Sequence, residues 1–182
     1  ALRQNDPWEL LQQALRSNFS TELIVAPFKE EYHSHIKINI IKGKINGYKI
    51  SRLPKYKDRD LMVEGSGFLQ WLSVYALATD PEVDVLLLDE PDAHLHCSLQ
   101  QNLIQQLIDI SDKTDKQILL ATHSTEILKQ SEPNKILEIS LRRKPRYLKE
   151  EHQKVGLMNG LGSEYSPKID AIINNKKMFI IE

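Results

Sequence analysis

Two short apolar runs constrain this chain most. Val83 to Leu88 reads VDVLLL and breaks off at Asp89-Glu90-Pro91-Asp92, and Gln117 to Ala121 reads QILLA and breaks off at Thr122-His123-Ser124. Runs this short, continuous and apolar read as strands buried in a sheet. Between them, Ser98 to Ile110 carries Leu99, Leu103, Ile104, Leu107 and Ile108 at helical spacing. Ile136 to Ile139 offers a third strand. Strand, helix, strand, helix, strand is the order of a parallel sheet with crossover helices, so the expected class is α/β.

The segment before these runs has a different period. Residues 6 to 17 predict a helix, with Asp6 as cap, Pro7 in the first turn, and Trp8, Leu10, Leu11 and Leu15 on one side. Tyr32 to Leu53 nearly alternates through Ile36, Ile38, Ile40, Ile45, Tyr48 and Ile50. Lys42-Gly43-Lys44 and Asn46-Gly47 read as turns within a small antiparallel hairpin or meander. Gly65-Ser66-Gly67 opens a helix that carries Phe68, Leu69, Leu72, Tyr75, Ala76 and Leu77 and ends before Pro81. Residues 140 to 175 read as polar and irregular, and Lys177 to Glu182 as one more apolar strand. The expected division is a helix-plus-meander subdomain over 1–61, a parallel-sheet core over 62–140, and a linker with a final strand over 141–182.

Charge and cysteine content narrow the partners. The formal net charge is -1, which gives no global case for a polyanionic partner. Locally, Lys29, Lys37, Lys42, Lys44, Lys49, Arg52, Lys55, Lys57 and Arg59 face only Glu30, Glu31 and Asp58, and Arg142, Arg143, Lys144 and Arg146 form a second cluster. Each cluster reads either as a solvated face or as a surface for backbone phosphates. A single cysteine, Cys97, allows no intrachain disulfide and fits a reducing compartment, so a cytoplasmic location is expected. No apolar stretch approaches the roughly 20 residues that span a bilayer. Ala1 in first place and an apolar run at the end give the expectation of a piece of a longer protein.

The acidic strand end carries the chemistry. Open parallel sheets keep their sites at the carboxyl ends of the strands. Two neighbouring carboxylates there, Asp89 and Glu90, can divide phosphoryl transfer between them, one holding Mg²⁺ and the other addressing a water. His123, at the tip of the next apolar run, can reach a terminal phosphate. The small residues at Gly65-Ser66-Gly67 leave backbone N–H groups and a hydroxyl for an anion. Two plainer readings stand beside this one: a strand that merely ends in solvated acids, and a metal cluster of His94 and His96 with Asp89, Glu90 and Asp92.

In order and spacing these motifs resemble the second half of an ABC-type ATPase head: a signature loop at Gly65-Ser66-Gly67 with Gln70, a Walker B strand ending in Asp89-Glu90-Pro91, a D-loop around Ala93-His94-Leu95-His96, and a switch histidine at His123. "DEPDAHLH" with "ATHS" is similar to the OLD-type and RecF-like ATPases, in which an AAA ATPase domain can precede a TOPRIM nuclease. The resemblance implies a partial P-loop NTPase core that binds and hydrolyses ATP with Mg²⁺. Asp89 would be the metal ligand, Glu90 the base, and His123 the γ-phosphate sensor. Ser66, Gly67 and Gln70 would contact ATP held by a second subunit in an ATP-sandwich homodimer. It further implies DNA as a partner and a nuclease gated by the ATPase, with Glu182 as the first TOPRIM metal ligand. One departure is large. No Gly-x-x-x-x-Gly-Lys-Ser/Thr phosphate loop occurs in the 182 residues, so the Walker A half is missing. That leaves a second reading, a nucleotide-independent module that binds DNA or protein. The zinc or iron reading needs a second histidine group, for which only His33 and His35 are available.

Overall fold

The computed structural model describes residues 6–47, 49–140 and 143–160. Contacts divide the chain into two compact units, Ala1–Ala121 and Thr122–Glu182.

In the first unit, helix α1 (Pro7–Phe19) begins as expected, with the Asp6 carboxylate accepting the Trp8 N–H at 3.0 Å. Ser20 ends it in a left-handed conformation, and strand β1 (Thr21–Val25) follows at once. Strand β2 (Ile38–Asn46) pairs antiparallel with β1, with β3 (Lys49–Arg52) and with the short β4 (Arg59–Asp60). The expected meander is therefore a four-stranded sheet. Its β2–β3 corner falls at Asn46-Gly47, where Gly47 takes a φ of 63°. Lys42-Gly43-Lys44 is no turn. It lies inside β2, and Gly43 is there because a Cβ would collide with the Ser51 carbonyl oxygen of β3.

A 3₁₀ turn (Leu61–Val63) leads to α2 (Ser66–Thr79), β5 (Val85–Asp89), α3 (Cys97–Lys113) and β6 (Gln117–Ala121). β5 and β6 pair in parallel, from Val85 opposite Gln117 to Asp89 opposite Ala121. The core between α1, the antiparallel sheet and α2 centres on Leu15, Ile40 and Trp71, each at 0% exposure. Phe19 meets Phe68 and Trp71 edge-on at 4.9 and 5.0 Å, and Trp71 stacks on Tyr75. Burial pushes the Tyr75 phenol up, with the Asp109 charge adding to it. On α3, Leu103, Ile104 and Leu107 turn inward. The parallel pair is covered on one face only. Leu86 is buried and Leu88, Ile118 and Leu120 are half-buried, whereas Val85, Leu87 and Leu119 are exposed, at 53%, 73% and 55%. Burial on both faces, as the apolar runs suggested, is therefore not found among the described residues of this unit.

In the second unit, α4 (Thr125–Gln130) and a 3₁₀ turn lead to β7 (Leu137–Ser140), which pairs antiparallel with β8 (Arg143–Tyr147). The third parallel strand expected at Ile136–Ile139 is thus one arm of a hairpin. Helix α5 (His152–Gly160) lies in the stretch expected to be irregular. Leu128, Ile136, Leu148 and Met158 form this unit's core. Lys154, only 4% exposed, bonds the Glu151 carboxylate at 2.8 Å and reaches the Lys129 carbonyl at the end of α4 at 3.4 Å. The strand expected over 177–182, with Glu182, lies outside the described residues.

The edge of β1 is closed by a side chain. The buried Gln12 amide donates to the Leu23 carbonyl at 2.7 Å and accepts the Leu23 N–H at 3.0 Å. Gln12→Leu would leave both backbone groups unpaired in the interior. It should destabilise the protein by roughly 2 kcal/mol or more, read as a lower urea midpoint with an unchanged slope.

Candidate active site

The site is built where β5 ends. Asp89 is the last residue of the strand and exposed, and the Glu90 N–H donates to the Ala121 carbonyl at 2.9 Å, closing the parallel ladder. Glu90 then turns sharply, with a φ of 46°. That left-handed conformation costs a non-glycine residue about 1–3 kcal/mol and persists only where its surroundings impose it. Here they do. The Glu90 carbonyl accepts the Ala93 N–H at 3.0 Å, Pro91 is fully buried, and the Asp92 carbonyl accepts the Leu95 N–H at 3.0 Å. His94 is a second left-handed residue, at a φ of 63°, and is exposed. Leu95 is buried at 7%, and His96 caps α3. The result is a compact turn over residues 90–95 that follows directly on two adjacent, exposed acidic residues.

The beginning of α2 lies against this turn. A Cβ at Gly67 would stand 2.6 Å from the His94 carbonyl oxygen and 3.7 Å from a Leu95 methyl. Gly67 is a glycine for that contact. Gly65 caps the helix through backbone geometry alone, without a side-chain bond, and a Cβ there would meet nothing within 4 Å. Ser66 is exposed beside it, at the free N–H groups and positive dipole end of a helix of 14 residues. Gln70, one turn further, is half-buried. Asp89, Glu90, Ser66 and Gly67 therefore belong to one neighbourhood, joined through the turn. His123 lies two residues past Ala121, in the second unit, and is exposed. Glu182 is outside the described residues.

Sequence reasoning misses Gln100. From the first turn of α3 its amide nitrogen donates to the Leu95 carbonyl at 3.0 Å and to the Asp92 carbonyl at 3.3 Å. No motif flags a glutamine at that place. Among the described residues, no three His, Cys, Asp or Glu side chains come together as a metal-holding set. His33 instead accepts the Lys29 N–H at 2.9 Å within its own loop. An apolar hollow of about 270 Å³ lined by Pro7, Trp8, Leu11, Ala76 and Pro81 sits at the far end of α2, which is roughly 20 Å long.

The basic segment separates into paired and unpaired charges. Glu64, whose side chain is 8% exposed, binds Arg59 at 2.5 Å and Lys42 at 3.6 Å, and Arg59 also lies over the Tyr56 ring. The hydrogen bond to Tyr56 leads the effects that raise the Arg59 pKa. Arg52 pairs with Asp58 at 3.4 Å. Lys44, Lys55 and Lys57 are exposed. No described helix is long and apolar enough to cross a membrane.

Comparisons with known proteins bear on the family and the fold. A family model described as "AAA domain, putative AbiEii toxin, Type IV TA system" matches residues 13–129, more than half of the chain. No curated protein matches the chain. Among solved structures, one described as "Structural biochemistry of ATP-driven dimerization and DNA stimulated activation of SMC ATPases" is similar, with a TM-score of 0.62 at 10% identity. The match covers 88% of this chain and 93% of that one. At that identity the likeness concerns the fold, a P-loop ATPase fold.

The two glycines at the start of α2 should respond differently to a methyl group. Gly67→Ala must push the 90–95 turn or the helix start aside and should cost about 1–3 kcal/mol by urea denaturation. Gly65→Ala meets open space and should cost no more than about 1 kcal/mol, the loss of a favourable cap residue.

Proposed function

Since this chain belongs to the AAA domain family whose model spans residues 13–129, we propose that it supplies the Walker B and signature half of an ATP-hydrolysing head that closes as a dimer on ATP and acts on DNA. The observation that carries this reading is the shared turn. The strand-end carboxylates Asp89 and Glu90 and the helix start at Ser66 are packed onto the same six residues, through Gly67 against His94. A loop that contacts nucleotide and a pair that hydrolyses it gain from such a rigid link.

The donors fit the cofactor. Mg²⁺ is held by one or two carboxylates together with water and phosphate oxygens rather than by an all-protein cage, and Asp89 is an exposed carboxylate at a strand end with Glu90 beside it. When bound with ATP, the ion would neutralise phosphate charge. Glu90, one residue on, would accept a proton from the attacking water. Ser66 and the N–H groups at the start of α2 would bind the phosphates of a nucleotide on a second subunit, with Gln70 behind them. His123 is assigned as the phosphate sensor from its place in the chain, two residues after the strand partner of Asp89. The phosphate loop is absent from the 182 residues. The bare face of Val85, Leu87 and Leu119 supports a further layer packing there, because parallel sheets are covered on both sides. A TOPRIM nuclease gated by ATP, with Glu182 as its first ligand, is the furthest extension of this proposal and rests on the sequence resemblance.

The test is made on the full-length protein. Glu90→Gln should retain ATP binding, lose turnover by roughly a hundredfold or more, and accumulate an ATP-dependent dimer in light scattering. Adding Ser66→Arg should abolish that dimer without unfolding the subunit. Asp89→Ala should weaken use of Mg·ATP. Turnover within a few-fold of wild type in Glu90→Gln would remove the residue from the role, whereas a wild-type protein without ATP turnover would favour the module that binds without hydrolysis.

DNA binding is assigned to the unpaired lysines. Lys44→Gln, Lys55→Gln and Lys57→Gln together should weaken binding to duplex oligonucleotides equally across sequences. For every phosphate no longer neutralised, the salt slope should fall by about 1. Lys42→Gln should do less, because Lys42 already faces Glu64. Unchanged affinity and slope would make the segment a solvated face.

A further inference from the structure

We propose that Gln100 is a positioning residue for hydrolysis: its amide clamps the turn that aims Glu90. The inference rests on the ATPase reading above and names a residue that the reading does not need. Glu90 can keep its left-handed conformation only while the turn after it is held. The bonds within the turn, Ala93 N–H to the Glu90 carbonyl and Leu95 N–H to the Asp92 carbonyl, are local and would open together. A side chain of α3 ties them to the body of the unit. Gln100 Nε2 donates to the Asp92 carbonyl at 3.3 Å and to the Leu95 carbonyl at 3.0 Å. The Gln100 backbone N–H is itself bound to the His96 carbonyl at 3.0 Å in the first turn of α3. An amide NH₂ has two donors and no charge, which suits two carbonyls three residues apart. A glutamate of the same shape has no donor and would repel both. Gly67 presses on the turn from the other side, at His94. The turn is thus held between α2 and α3, and Gln100 is its hydrogen-bonded side.

A glutamine that only stabilised α3 would leave turnover alone, so the test reads kinetics beside local opening. In the full-length protein, Gln100→Met should lower kcat for ATP by roughly tenfold or more, with KM within about threefold, because a displaced base loses the transition state and not the substrate. Gln100→Lys, which restores donors, should recover most of the loss. Amide exchange at Ala93 and Leu95 should accelerate by about tenfold or more in Gln100→Met, while Gln117–Ala121 stays protected. Gln100→Ser, small and too short to reach either carbonyl, gives the same comparison if the methionine variant does not fold. Glu90→Gln is run alongside. If it abolishes turnover and Gln100→Met leaves kcat unchanged, the clamp is overturned and the ATPase reading stands. If Glu90→Gln leaves turnover intact, Glu90 is not the base, and the clamp's catalytic role falls with that assignment. Unchanged exchange at Ala93 and Leu95 overturns the clamp on either reading.

Discussion

Parallel pairing of β5 with β6 is the constraint on which the first unit depends. Parallel strands cannot be joined by a tight turn, so the chain must cross back over one face, and α3 is that crossover. Once α3 lies there beside α2, the two helices fill one side of the strands and leave the other to something else. The same register that sets Asp89 against Ala121 ends both strands together. The carboxylates therefore leave the sheet at the end where a parallel sheet offers free backbone groups and room for a ligand. Without the ladder bond from Glu90 to Ala121, nothing would fix where the acidic pair begins its turn.

Among the described residues, side chains that bond backbone carbonyls recur at the edges and ends of several elements. Gln12 closes the edge of β1, and Lys116 donates to the carbonyls of Asp80 and Val83 between α2 and β5. Gln100 holds the turn after β5, and Lys154 reaches the end of α4. Carbonyls at the ends of helices and strands lack partners in their own element, and leaving them unpaired inside a protein costs more than a typical bond gains. Long polar side chains reach such carbonyls from a neighbouring helix. Each then belongs to the framework although its type suggests surface.

That habit explains what the sequence withholds. The Asp6-Pro7 start, the β6 and α4 limits and the acidic strand end are legible because each rests on local chemistry: a cap, an apolar run, two adjacent carboxylates. Gly43 reads as a turn because a glycine between lysines gives the same signal whether it bends the chain or admits a neighbouring carbonyl. β1 escapes sequence reading, being only five residues long and directly behind a helix. α5 escapes it because one of its two buried residues is a lysine. The pairing of β7 with β8, against the parallel pattern, depends on partners that no local run specifies. At the site, the roles of Gly67 and Gln100 are beyond reach for the same reason. Their importance lies in the carbonyls of residues 92–95, and spacing along the chain does not reveal that neighbourhood.

Charge pairing then decides what the basic segment offers. Counted along the sequence, it is a strong cluster; in space, Glu64 takes up Arg59 and Lys42, and Asp58 takes up Arg52. Glu64 is nearly buried, so its two ion pairs are less screened than those at a fully wet surface. It also immediately precedes Gly65, the cap of α2. The residue that neutralises the hairpin is therefore joined by one peptide bond to the helix start that lies against the 90–95 turn. Strand β4, the start of α2 and the strand-end carboxylates follow one another through bonded or touching groups: Arg59 to Glu64, Glu64 to Gly65 along the chain, Gly67 to His94, and the turn back to Glu90. The basic segment and the acidic strand end are thus joined within one unit by direct contacts.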